Sequence, residues 1–248
     1  MEIFLLSVMP QLCVQALAHG IVGRAIRNSI CNVNYIDLKE YASKKRVDDS
    51  MYGGGGMLLR YEPISLAIES AIQKSKYPYK IIYMSPWGYP LTMSCIKNYV
   101  ASSQSLIIIC GRYQGIDQRI IDQYQVEHIS IGDIIVSGGE LPACLFIDAM
   151  IRLLPCSINP SSLQEESFED NLLCASNYTK PAITIQGNKV PKELLSGNHK
   201  LIKQWRYQSR INNTKNYRPD LWKTVEQQLD KKITLSIKKT ENETNSNH

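Results

Sequence analysis

Long hydrophobic runs and paired-cysteine motifs are both missing from this chain. Its longest apolar stretches, SLIIICG and KIIYM, are strand-length, far below the roughly 18 residues of a membrane span, so no membrane partner is expected. None of the seven cysteines stands in a C-x-x-C pair, which fits a reducing, cytoplasmic compartment with unpaired, mostly buried thiols. The four histidines are scattered, so no metal site is expected from protein ligands of the zinc type. Neither G-K-[ST] nor G-x-G-x-x-G occurs, which removes the phosphate-loop and dinucleotide fingerprints. The opening MEIFLLSVMP has no basic leading region and no small-residue cleavage site, and reads as a first strand. The sequons at Asn177 and Asn242 are accidental in such a setting. Net charge is only +5, compatible with a polyanionic partner but too small to establish one.

What is present is an ordinary globular balance, 44% hydrophobic and 21% charged, over 248 residues. That length holds one large domain, or one medium and one small. Ile3 to Val8 predicts a buried strand, followed by helices at about Gln11 to His19 and Gly23 to Asn28 and a strand at Val33 to Leu38. The stretch YASKKRVDDSMYGGGGMLLR fits no regular element, because Gly53 to Gly56 cost too much backbone entropy inside a helix or strand. It reads either as a flexible loop or as a loop gripping a nucleotide: Lys44, Lys45 and Arg46 lead in, and Asp48, Asp49 and Tyr52 precede the glycines. A helix starts at Pro63 and ends near Tyr77.

From there strand, turn and helix recur at residues 80–100, 105–123 and 129–154. The turns are Ser85–Pro86–Trp87–Gly88, then Gly111–Arg112–Tyr113–Gln114–Gly115, then Gly138–Gly139. This rhythm predicts an α/β fold with a mostly parallel sheet and helices on both faces. In such sheets ligands lie beyond the carboxyl ends of the strands, where the three turns would converge. The third unit starts with the strand signal SIGDIIV and ends in a helix to about Leu154, apolar almost all round and expected to be buried on most sides. Asp148 and Arg152 sit in that helix four residues apart, either as an ion pair or with Arg152 directed into a site.

Ser157 to Ser167, SINPSSLQEES, is polar and aperiodic and reads as a linker between a domain of residues 1–156 and a helical domain from residue 169. Between Lys200 and Arg218 there are six Lys or Arg residues and no acid. Lys203, Arg206 and Arg210 share a helix face, with Trp205 and Tyr207 interleaved: a solvated surface helix or a nucleic-acid face. The last residues, KKTENETNSNH, have a disordered composition.

Five motifs, VDDSMYGGGGM, YMSPWG, CGRYQGID, SIGDIIVSGGELPA and LLSGNHKLIKQWR, follow one another in this order. Together they closely resemble the bacterial tRNA (guanine-37-N1) methyltransferases of the SPOUT superfamily, over Ile3 to about Trp222. The resemblance implies a deep trefoil knot in the N-terminal domain, a homodimer with active sites at its interface, and a small helical C-terminal domain that helps hold tRNA. It implies S-adenosyl-L-methionine as methyl donor, enclosed by three knot loops. Their binding residues map to Tyr83, Met84, Ser85, Pro86 and Gly88, to Gly111, Tyr113, Gln114 and Gly115, and to Ile131, Gly132, Asp133, Ile134, Ile135, Val136, Gly138, Gly139, Leu141 and Pro142. Substrate tRNA maps to Asp48, Asp49, Tyr52, Gly53, Gly54 and Gly55, and to Ser167, Ser196, Asn198, His199, Lys203 and Arg206. The linker corresponds to the segment that orders over the active site when tRNA binds. Guanine N1 is a poor nucleophile until its proton leaves, so a carboxylate base and a cation near O6 are required. By resemblance these are Glu166 and Arg152, and a magnesium ion belongs to the family's expected chemistry.

Four positions depart from the family pattern. Glu166 stands where an aspartate is expected, lengthening the arm by one methylene. Gln114 replaces a carboxylate expected near Arg152, four glycines stand where five residues such as GGGPG are expected, and Lys45–Arg46 replaces an Arg-Thr pair. A working enzyme is expected. The competing reading is a tRNA-binding protein of the same fold whose catalysis has lapsed.

Overall fold

The computed structural model describes residues 1–102, 104–163 and 166–228. They fall into two compact units, Met1–Asn159 and a second beginning at Pro160. The first unit opens with β1 (Glu2–Ser7), α1 (Pro10–Leu17), α2 (Gly20–Arg27) and β2 (Asn32–Asp37). A hairpin of β3 (Asp48–Ser50) and β4 (Met57–Leu59) leads to α3 (Tyr61–Lys74). Then come β5 (Tyr79–Pro90), α4 (Met93–Ala101), β6 (Ser105–Ile109), α5 (Gln118–Tyr124), β7 (Glu127–Ser130) and α6 (Glu140–Ile151).

The main sheet has the order β2-β1-β6-β5-β7, and all its pairs are parallel. Central strands covered on both faces must be apolar on both, which is why β1 reads EIFLLS and β6 SLIII without alternation. Ile3, Leu5, Leu106 and Ile108 pack on one face with Leu17 of α1 and Phe146, Ile147 and Met150 of α6. Phe4, Leu6, Ile107 and Ile109 pack on the other with Ile64, Ala67, Ile68 and Ala71 of α3 and Ile120 of α5. Phe146 is fully buried and meets the Tyr99 ring edge-on, with centroids 5.3 Å apart. Phe146→Ala should lower unfolding free energy by about 3–5 kcal/mol, read from the urea midpoint. All seven cysteines are free, and Cys13, Cys31, Cys110 and Cys144 are buried. The hydrogen bond with Cys110 is the largest cause pushing the Cys13 thiol up to about 12, so it packs as a small hydrophobe.

Several expectations need correction. The strand of the third unit is Glu127–Ser130, not SIGDIIV. Gly132 adopts φ +127°, and Ile134, Ile135 and Val136 lie exposed in a loop. Apolar character there reflects what the loop lines, not sheet membership. Ser85–Gly88 is not a turn that ends a strand: β5 continues to Pro90, with Met84 and Tyr89 both opposite Ile129 across a bulge. The stretch around the four glycines does contain regular structure, since Asp48–Ser50 pairs antiparallel with Met57–Leu59 and Gly53 to Gly56 turn at its tip, all at positive φ. Helix α6, by contrast, is buried on most sides as expected, with one face left open. Leu141 is 58% and Leu145 52% exposed, one turn apart on the same face. The linker is not wholly irregular: Ser157 is buried, its carbonyl accepts from Arg24 Nη2 at 3.1 Å, and α7 (Pro160–Leu163) makes one helical turn.

In the second unit, α8 (Lys192–Leu195) precedes α9 (His199–Tyr217), and residues 219–228 are helical. Residues 166–191 hold little regular structure and are tied to α9 by side chains. Arg210 donates to the carbonyls of Glu169 (2.7 Å) and Leu173 (3.3 Å), and Thr214 Oγ1 accepts from Leu173 N–H at 2.9 Å. Arg210 is therefore a buried structural residue and not part of an exposed basic face. The disordered tail expected over residues 238–248 lies outside the described residues.

Candidate active site

Because β5, β6 and β7 are parallel, the segments following them leave the sheet at one edge. They enclose a cleft of about 270 Å³. From the β5 bulge come Tyr83, Met84, Ser85, Pro86 and Trp87; from the segment after β6 come Gly111, Arg112, Tyr113, Gln114 and Gly115. After β7 the wall continues through Ile131, Gly132, Ile134, Ile135, Val136, Ser137, Gly138, Gly139 and Pro142. Of the expected cosubstrate residues, Gly88, Asp133 and Leu141 stand outside this lining. Gly88 matters by its lack of a side chain: a Cβ there would lie 2.4 Å from backbone N and C of Ile129. Gly139 likewise lets its N–H reach the Gly111 carbonyl at 2.8 Å, and a Cβ would stand 2.9 Å from Gly111 N.

Trp87, Arg112 and Ser137 in this wall fall within the expected loops without being assigned individually, whereas Ile116, Gln118, Ile121, Ile129 and Ser130 fall outside them. Ile116, Ile121 and Ile129 have the pattern of ordinary core aliphatics, so nothing marked them. Trp87 and Arg112 lay inside recognisable motifs and were legible by position. The Trp87 ring is 80% exposed and stacks on His128, centroids 6.2 Å apart, while His128 meets Tyr83 edge-on. Burial lowers the His128 pKa and raises that of Tyr83, so both rings are neutral at pH 7. The wall is thus apolar and aromatic, with backbone donors and acceptors from the glycine turns, as suits a nucleoside-sized ligand.

The glycine hairpin sits against the second segment. Leu59 N–H donates to the Gly115 carbonyl at 3.0 Å and Gln114 N–H to that of Met57 at 3.1 Å. The Gln114 side-chain amide donates to the Gly55 carbonyl at 3.1 Å. A carboxylate could not make that last bond, which gives the departure at position 114 a local role. Asp48 lies close enough to Tyr113 for its carboxylate to be the main cause raising the phenol pKa. Asp49 accepts from Arg46 Nη2 at 2.6 Å, whereas Tyr52, Gly53, Gly54 and Gly55 are exposed at the tip. Residues expected to handle substrate therefore stand beside those expected to hold the cosubstrate.

Arg152 caps the carboxyl end of α6, where a cation suits the helix dipole, and does not line the cleft. Glu166 belongs to the second unit. There Ser167 Oγ accepts from Cys174 N–H, and Ser196 Oγ accepts from Asn198 N–H. Asn198 is the N-cap of α9, accepting from Lys200 N–H at 3.0 Å and Leu201 N–H at 3.3 Å. His199, Lys203 and Arg206 are exposed on α9. Among the described residues no group of three or more His, Cys, Asp or Glu is placed to hold a metal, and no helix is long and apolar enough to cross a membrane.

Comparison with known proteins agrees with the motif order. A family model described as tRNA (Guanine-1)-methyltransferase TrmD matches residues 1–224. A tRNA (guanine-N(1)-)-methyltransferase of Francisella philomiragia is 42% identical over 225 residues, 89% of this chain and 88% of the relative. One from Legionella pneumophila is 40% identical over 238 residues, covering 94% of each chain. One from Microcystis aeruginosa is 40% identical over 233 residues, 92% of this chain and 100% of the relative. With its parallel sheet, its glycine-turn cleft and this match along nearly its whole length, the chain belongs to the tRNA (guanine-1)-methyltransferase family.

Proposed function

We propose that this protein transfers a methyl group from S-adenosyl-L-methionine to N1 of guanosine 37, on the 3′ side of the tRNA anticodon. The observation that carries the proposal is the single cleft formed by three motif-bearing segments, with the substrate hairpin hydrogen-bonded to its second wall. In this reading the cosubstrate lies in the cleft. The guanine, unstacked from the anticodon loop, enters between the cleft and the hairpin tip.

The methyl donor is a sulfonium and needs little further activation; guanine N1 needs more. Glu166 takes the N1 proton, and Arg152 stabilises the negative charge that spreads to O6. The N1 electron pair forms the new bond to the methyl carbon as the carbon–sulfur bond breaks. The products are N1-methylguanosine, S-adenosylhomocysteine and a protonated Glu166 that returns its proton to water. The described residues offer no carboxylate cluster for the magnesium ion that the resemblance admits, and no step passes through one.

The proposed site is shared between two copies of the chain. By helix rise, Arg152 lies roughly 18 Å along α6 from the end that meets its own cleft. An arginine side chain does not span that distance, which supports a second copy of the chain as its source. The exposed Leu141 and Leu145 give such a copy an apolar face to cover. The knot expected of the family would thread the segments around the cleft, and a cytoplasmic location follows from a tRNA substrate.

Lys203 and Arg206 are proposed to contact tRNA phosphates. Replacing both with alanine should weaken tRNA binding and flatten its salt dependence by about 2 in log–log slope, with cosubstrate affinity unchanged. The proposal itself is tested by incubating the protein with methyl-labelled cosubstrate and unmodified tRNA. Label should appear in the tRNA. A protein that binds tRNA and transfers nothing would instead be the catalytically lapsed binder.

A further inference from the structure

Glu140 is the first residue of α6, and its side chain is 1% exposed. A carboxylate so buried must be compensated, and two elements besides its own helix do so. Ser7 Oγ, at the end of β1, donates to Oε1 at 2.7 Å. Arg112 Nε, in the segment after β6, donates to Oε1 at 3.1 Å and lies 3.0 Å from Oε2, so one N–H straddles the carboxylate. Oε2 receives no hydrogen bond of its own among the described residues. The α6 N-terminus adds favourable partial charge. On its other side Arg112 reaches across the cleft edge, Nη1 donating to the Ser137 carbonyl at 3.4 Å.

The backbone around this cluster is packed to the limit. Arg112 and Gly138 pair as an isolated antiparallel bridge. A Cβ on Gly138 would stand 2.4 Å from Arg112 Nε and 2.5 Å from Glu140 Oε2. The second and third walls of the cleft are therefore joined at one buried point, which Ser7 anchors to the sheet. We infer that Ser7, Glu140 and Arg112 act as a positioning relay that sets the distance between residues 111–115 and residues 131–139, and so the fit of the cleft to the methyl donor. The inference rests on the proposal that this cleft holds S-adenosyl-L-methionine. It adds Ser7 and Glu140 to the site and gives Arg112, already part of the cleft wall, a positioning role.

The test uses the full-length protein and calorimetric titration with S-adenosyl-L-methionine, alongside tRNA binding by filter retention without cosubstrate. Glu140→Gln keeps size but removes the charge that orients Arg112. Arg112→Lys keeps charge but cannot bond to both the carboxylate and Ser137. Each should raise the cosubstrate Kd by about 10-fold or more and leave the tRNA Kd within about twofold. Ser7→Ala removes one hydroxyl from a folded core and should raise the cosubstrate Kd by about 3- to 10-fold. If Glu140→Gln does not fold, as judged by circular dichroism, Ser7→Ala and Arg112→Lys decide. Folded variants that melt earlier but bind cosubstrate as wild type does would reduce the cluster to a structural ion pair and overturn the inference alone. A wild-type protein that does not bind S-adenosyl-L-methionine would overturn the cleft assignment, and the relay with it.

Discussion

Glu166→Gln and Arg152→Ala should each cut single-turnover methyl transfer by about 10²- to 10⁴-fold while leaving the Kd for S-adenosyl-L-methionine within about twofold. The split follows from placement. Arg152 is not among the residues that line the cleft, and in the proposed reaction neither it nor Glu166 holds the cosubstrate. In the proposed reaction each acts only as charge moves on the guanine, where one takes a proton and the other faces the developing oxyanion. Glutamine at position 166 keeps the side-chain length but cannot accept the N1 proton at neutral pH. Glu166→Asp is the informative partner. If the longer arm of this chain is matched to its own linker geometry, aspartate restores part of the lost rate but not all of it. If transfer by Glu166→Gln equals that of wild type, another group is the base.

Gly88→Ala should have the largest effect on the cleft itself. The new methyl would lie 2.4–2.5 Å from three backbone atoms of Ile129, in the neighbouring strand, and backbone cannot swing aside as a long side chain can. Strands β5 and β7 must then separate where the first and third walls of the cleft begin. We expect cosubstrate binding to be lost and stability to fall by about 1–3 kcal/mol, measured by calorimetry and urea unfolding. Gly54→Ala provides the contrast. That residue has φ +82°, and a methyl group there would have nothing within 4 Å, so alanine strains the hairpin tip without crowding it. Cosubstrate affinity should be retained in Gly54→Ala, and tRNA methylation should slow.

Much of this architecture is legible in the chain. The apolar runs of β1 and β6 announce strands buried on both faces, and three strand–turn–helix repeats announce a parallel sheet with turns at one edge. Motif order then identifies the family. Legibility fails where one residue serves two purposes. Ile134, Ile135 and Val136 look like a strand by composition, yet they are exposed in a loop that lines a ligand cleft. Ser85–Gly88 has turn chemistry, but it forms a bulge inside a strand that continues to Pro90. Arg210 shares a face with Lys203 and Arg206 in sequence, while the carbonyls it binds, on Glu169 and Leu173, come from a segment with no periodic signal. Glu140 was invisible for a similar reason. Its partners, Ser7 and Arg112, lie 133 and 28 residues away, and only the folded sheet brings their strand ends together.

The proposed reaction takes place at one atom, so the decisive measurement is the location of the methyl group. Unmodified tRNA carrying guanosine 37 is incubated with the protein and labelled S-adenosyl-L-methionine, then digested to nucleosides and analysed by mass spectrometry beside a transcript with adenosine 37. Labelled N1-methylguanosine from the first tRNA and none from the second is the expected result. Label on another atom or another nucleotide, or equal label in both tRNAs, would contradict it.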